Sequence, residues 1–212
     1  MDQQHASLET LQDIRRIMDR SSRFLSLSGL SGVSAGVFAL IGTYLAHDWI
    51  AEYFNGAGPN GRSTEEYESL EYRLLALAAG VLLASVLGAL YFTWRRTKKN
   101  NVPMWDHTSK KLLLNILIPL VTGGVFVLGL LHYHDWRFIA PASLVFYGLA
   151  LVNASKFTFG DVRYLGILEI LLGLINIWYI GYGLYFWAAG FGTLHIIYGL
   201  IMWWKYEKSL GQ

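Results

Sequence analysis

Six runs of apolar residues, each about as long as a lipid hydrocarbon core is thick, constrain this chain more than any other feature. They cover 24–46, 74–94, 112–131, 138–155, 164–180 and 183–204. A helical span needs about 20 predominantly apolar residues to cross roughly 30 Å. In hydrocarbon every backbone amide must find its partner within its own segment. Runs rich in Leu, Ala and Gly at this length therefore fit helices, whereas a barrel would show alternating strands of about ten residues. The expected fold is an all-α integral membrane protein of six transmembrane helices. Composition agrees: 54% of the 212 residues are apolar and 15% are charged, against about 25% charged in an ordinary soluble domain.

Basic residues give the runs a direction. Fourteen lie on one side of the expected membrane, among them Arg15, Arg16, Arg20, Arg23, Arg95, Arg96, Lys98, Lys99, Lys110 and Lys111, against Arg62, Arg73 and Arg137 on the other. The positive-inside rule then predicts both termini in the cytoplasm of a cell whose inner membrane holds the chain. Residues 1–23 carry Leu8, Leu11, Ile14, Ile17 and Met18 at helical spacing and read as a cytoplasmic amphipathic helix. Residues 24–205 form a single transmembrane domain, and 206–212 a cytoplasmic tail. The one long outer loop, His47 to Arg73, contains a turn-rich stretch before Ser63 and Glu66, which are spaced as a capping box for the second helix.

Internal similarity groups the spans. The run from Gly36 to Gly42 leading to His47-Asp48-Trp49 returns as Gly124 to Gly129 leading to His134-Asp135-Trp136. Ala78-Ala79-Gly80 with Trp94 returns as Ala188-Ala189-Gly190 with Trp204, and Val145 to Leu149 resembles Ile196 to Leu200. Three tandem hairpins of like orientation follow, arranged about a pseudo-threefold axis along the membrane normal. Small residues at Ser28, Gly32 and Gly36, and at Gly80, Ala84 and Gly88, predict close helix contacts within the chain or between copies in a homo-oligomer.

With Leu165-Gly166-Ile167-Leu168-Glu169-Ile170-Leu171-Leu172-Gly173-Leu174 and Ile197-Tyr198-Gly199-Leu200 in its Gly-containing hairpins, the six-span region resembles the HdeD-type family of bacterial inner-membrane proteins. That resemblance implies a stress-related role linked to acid resistance. It carries over no catalytic residue. The sequence departs from the family pattern in its N-terminal segment, its long first loop and the lack of a proline at the outer end of the odd spans.

The candidate chemistry is sparse. Glu169 is the one acid well inside a span, and an intramembrane carboxylate calls for a partner. At 1.5 Å per residue it lies about 8 Å from the cytoplasmic start of its helix, and His195 lies about 14 Å from the cytoplasmic end of the next. Spans joined by so short a turn should bring the two together. Asn176, Asn115 and Asn153 lie at nearby depths and, with the pair, are expected to line an inner polar cluster. This cluster reads either as a proton-responsive or cation site or as hydrogen bonds stapling helices together. His132, His134, Asp135 and His47 form an outer group with metal-ligand chemistry suited to Zn²⁺ or Cu²⁺.

No phosphate-binding loop, dinucleotide fingerprint, HExxH or GxSxG is present, and zero cysteines removes thiol catalysis. No cofactor is expected, and no nucleic-acid partner; the lipid bilayer is the expected surrounding. The sequence thus predicts a non-enzymatic stress-related, scaffold or sensing protein. A small transporter or channel built on Glu169 and His195 is the alternative, and an intramembrane acid–base enzyme the third.

Overall fold

The computed structural model describes residues 27–56, 63–100 and 105–208. The expected N-terminal amphipathic helix and the last residues of the tail lie outside the described residues. Within them the chain is all-helical: α1 Gly29–Asn55, α2 Thr64–Lys99, α3 His107–His132, α4 Trp136–Ala154, α5 Asp161–Trp178 and α6 Ile180–Lys208. Five of the six are long and apolar enough to cross a membrane. The exception is α5, whose 18 residues include Asp161, Arg163 and Glu169. Large apolar side chains such as Leu82, Leu87, Ile118, Val125 and Trp178 point away from the protein over most of the helical surface, as lipid-facing residues do.

Local signals set the helix starts. Ser63 accepts from the Glu66 backbone N–H at 3.2 Å while Glu66 accepts from the Ser63 N–H at 3.1 Å, forming the expected capping box. Asp106 and Ser109 do the same for α3. Ser28 makes no cap of its own. The free N–H of Gly29 donates instead to Glu207 Oε1 at 2.6 Å, and Ser28 Oγ donates to the same carboxylate at 3.1 Å. Glu207, near the far end of the sequence, thus caps the first helix from α6. Arg96 of α2 completes this clasp, donating to the Leu27 and Tyr206 carbonyls and lying 3.4 Å from Glu207. Beside it Asp161 accepts from Tyr206 Oη at 2.6 Å and pairs with Lys205 at 3.0 Å, tying the start of α5 to the end of α6. We call this the basic end and the opposite one the acidic end.

Neighbouring helices follow one another round an open ring. α1 packs on α2 and on α6, α4 packs on α3 and on α5, and α6 also touches α4 and α5. A threefold set of hairpins would meet at three junctions: α6 with α1, α4 with α5, and α2 with α3. Two of these form, both through glycine. A β-carbon at Gly148 would sit 2.6 Å from the Gly166 carbonyl, and one at Gly199 would sit 2.7 Å from the Gly29 carbonyl. Backbone lies on backbone there. Between α2 and α3 no packed interface forms among the described residues, so the threefold arrangement expected from the repeats is incomplete. The walls that flank the gap carry Leu74, Leu77, Ala78 and Val81 of α2 and Val127 and Leu131 of α3, and no glycine pair brings the two backbones together there. Of the two expected small-residue stripes, that on α1 does pack, Gly32 and Gly36 lying against α6 and Ser28 bonding Glu207 of α6. Of the two glycines in the α2 stripe, Gly88 meets Ser34 of α1 and Gly80 meets nothing within 4 Å.

Two outcomes are expected from this packing. Gly148→Ala should lower thermal stability in detergent by on the order of 1–3 kcal/mol through overpacking, whereas Gly80→Ala should raise it by up to about 1 kcal/mol through helix propensity; equal effects would contradict the assigned contacts. Asp161 lies three residues before the apolar run that begins at Tyr164. Burial alone would push its carboxyl up, but the hydrogen bonds from Tyr206 and Lys205 outweigh it and hold it below the usual carboxylate range. A depressed carboxyl stabilises the fold above its unfolded value and stops doing so as pH falls through its folded value. The clasp should therefore weaken below about pH 4, and Asp161→Asn should flatten that part of a melting-temperature profile.

Candidate functional site

Three helices converge on the carboxylate of Glu169. It stands on the inward face of α5 between Gly166 and Gly173, the glycines that let α5 lie against α4. From α4 come Leu144 and Tyr147; from α6 come Gly190 and His195. The local structure of α6 makes this possible. After its first α-helical turn, Gly183–Trp187, the rod widens into a π-helix over Ala188–Leu194 and returns to α-helix at His195–Trp203. Such π segments are rare and often lie at functional positions. Two of its residues are the buried glycines Gly190 and Gly192. Gly192 gives room to Leu40 of α1, and Gly190 gives room to the carboxylate: a β-carbon there would strike Glu169 Oε2 and Leu144.

The polar chain is short. Glu169 Oε1 lies 3.4 Å from His195 Nδ1. The same Nδ1 lies 3.0 Å from the Gly190 carbonyl, and Nε2 lies 2.8 Å from Tyr147 Oη. Both neighbours of Nδ1 are acceptors, so that nitrogen carries a proton; Nε2 of the neutral ring then accepts from the Tyr147 hydroxyl. The His195 backbone N–H goes to the Gly192 carbonyl, which leaves the Gly190 carbonyl to the imidazole. Phe191 lies beside both rings, its centroid 5.0 Å from Tyr147 and 6.1 Å from His195. Glu169 is 0% exposed and His195 5%, and neither carboxylate oxygen makes a regular hydrogen bond. A carboxylate so enclosed is costly unless His195 offsets its charge or a proton neutralises it.

The other expected members of the cluster lie elsewhere. Asn176 is fully buried but serves the turn between α5 and α6, its amide donating to the Tyr179 carbonyl at 3.0 Å while its Oδ1 has no partner. Asn115 donates to the Lys111 carbonyl one turn back along α3, and Asn153 accepts from Lys156. The asparagines therefore make local bonds, and the structure joins only Glu169 and His195 of the five. Tyr147 is the member that sequence reasoning missed. Its depth was the available signal, because a tyrosine eight residues in from Ser155 at the end of α4 lies deeper than the interfacial belt that tyrosines usually occupy in membrane proteins.

The outer group does not assemble. Among the described residues no three His, Asp or Glu side chains are grouped so as to hold a metal ion. His47 lies edge-on to Tyr185, His132 edge-on to Tyr133, and Asp135 pairs with Arg137 at 3.6 Å. His134 has a left-handed backbone, φ 56°, and closes the C-terminus of α3, with the Asp135 N–H returning to the Leu130 carbonyl at 2.8 Å. Its imidazole turns to Glu71 of α2, 3.9 Å away.

The glycine that seats the carboxylate offers a direct check on this geometry. Gly190→Ala should cost on the order of 2 kcal/mol in thermal stability, and the cost should shrink in a Glu169→Ala background because the colliding oxygen is gone. Additive effects would show that the two residues are not in contact.

Comparison with known proteins gives no match: no family model, no curated protein and no solved structure is significantly similar to this chain.

Proposed function

We propose that the chain is a non-catalytic multi-pass protein of the inner membrane, with six spans and both termini in the cytoplasm, and that it serves as a proton sensor through Glu169, His195 and Tyr147. The observation that carries this reading is an acid with no exposed surface set 3.4 Å from an imidazole at the meeting of three helices. Histidine is the side chain whose ordinary titration range is nearest neutrality. One added proton would leave a positive charge in a site whose carboxylate had been neutralised, with only Tyr147 Oη and the Gly190 carbonyl beside it. That charge costs several kcal/mol in so dry a position, and separating α5 from α6 to admit water relieves it. Acid would in this way become a change in helix packing. The fourteen basic residues expected on one side support the orientation, and the resemblance to the HdeD-type family points toward the same stress-related role.

Transport is the weaker reading. A carboxylate with no surface accessible to water adjoins no water-filled path, and such a path is what a carrier or channel built on this cluster requires. The same enclosure disfavours an enzyme, since a substrate would have to reach the pair.

A chain without native cysteine suits the test. Spin labels on Leu171→Cys of α5 and Leu200→Cys of α6, both exposed residues, should report a changed interhelical distance when reconstituted protein is taken from about pH 7.5 to about pH 5. Glu169→Gln should abolish the change while leaving the neutral-pH distance intact. An unchanged response in Glu169→Gln would overturn the assignment, and liposome proton flux that depends on Glu169 would establish transport instead.

A further inference from the structure

Where the ring fails to close, α2 and α3 flank a groove of about 530 Å³ toward the acidic end. This is within the usual range of ligand pockets, roughly 300–1,000 Å³. Its walls are apolar: Ala78 and Val81 of α2, Val127 and Leu131 of α3. Its floor is the thin surface left by Gly42 of α1 and Gly183 of α6. At the opposite, basic end the two helices lean into the bundle, with Leu112 of α3 in the apolar core and Thr93, Arg96 and Thr97 of α2 buried. The seam therefore widens in one direction. At its wide end it meets charge of both signs. Arg137, whose side chain is 71% exposed, lines the mouth, with Asp135 3.6 Å from its guanidinium. Glu71, one turn above Leu74 and Leu75 on the same helix face, turns its carboxylate to His134 and stays outside the groove.

We infer that this seam is a binding site for a zwitterionic phospholipid, one acyl chain filling the groove between α2 and α3 and the headgroup lying over Arg137 and Asp135. An apolar cleft open to the side in a bilayer selects a hydrocarbon chain, because that occupant restores the dispersion contacts the missing helix junction lacks. The mouth selects the headgroup. Arg137 offers a planar set of donors to a phosphate, and Asp135 beside it, 44% exposed, is placed for an ammonium group. A headgroup bearing only negative charge would bring its phosphate against Asp135 with no cationic group of its own to meet that carboxylate. The lipid in this arrangement stands where the third interhelical junction would be, and it supports α2, in whose most apolar stretch no residue is buried within the protein.

The test uses the full chain in vesicles of phosphatidylcholine doped with a phosphatidylethanolamine that carries a photoreactive diazirine near its acyl terminus. After illumination, adducts should concentrate on Ala78, Val81, Val127 and Leu131, several-fold above Leu83, Leu87 and Val121, which are exposed on the same helices outside the groove. Ala78→Trp, which fills the cleft, should remove the groove adducts and leave the others. Arg137→Gln should reduce groove labelling by the phosphatidylethanolamine probe several-fold while a diazirine-bearing diacylglycerol probe, which has no phosphate, labels equally in both proteins. Even labelling along α2 and α3 in the unmodified chain would overturn the proposal. So would crosslinks from the groove walls to a second copy, which would make the seam a subunit interface.

Discussion

Hydrocarbon solvates apolar side chains as well as another helix does, so burial of Leu and Ile cannot hold a membrane bundle together as it holds a soluble core. What remains is close contact between backbones and the polar bonds that closeness permits. In this protein both reside at the same junctions. Gly148 lies on Gly166 where α4 crosses α5, and Gly29 and Gly36 lie on Gly199 and Gly192 where α6 crosses α1. Where glycines face neighbours the helices meet; between α2 and α3, where no glycine contact joins the backbones among the described residues, they stand apart. The distribution of contacts made by glycine thus sets the outline of the whole ring.

The buried acid depends on that same closeness. Glu169 occupies space vacated by the missing side chain of Gly190, and His195 reaches it from the first residue after the π-helical segment. A tighter α-helical path through 188–194 would turn His195 to another side of α6, since one residue added or removed rotates the following face by about 100°. The π-helix, the glycine and the acid therefore form one unit. At the basic end a second polar unit works differently: Arg96, Glu207 and the free N–H of Gly29 join three helix ends that lie far apart in sequence.

Much of the candidate site was legible because depth along a helix is simple arithmetic. Counting residues from the basic end placed Glu169 and His195 within reach of each other, and the short turn before Gly183 made their helices neighbours. The same arithmetic put the three asparagines nearby but could not tell which way each one faces. Asn115 and Asn153 turn to their own backbone neighbourhoods, a choice that a short amide side chain makes through local geometry. His134 was legible as a metal-ligand type and not as a turn residue, because its left-handed backbone arises from how α3 ends.

Sequence alone determined the apolar, helical class and the start of α2, because these follow from local run length, backbone hydrogen bonding and the capping spacing of Ser63 with Glu66. It determined too that one carboxylate stands where carboxylates are costly. Tertiary structure decided which helices touch. The repeats expected from the sequence would permit a closed threefold ring, yet among the described residues two junctions bring glycine backbones together and α2 and α3 leave a seam. It decided also that Tyr147 joins the buried pair and that Glu207 caps α1. Both are contacts between helices distant in the chain, and no local pattern encodes the rotation of one helix against another.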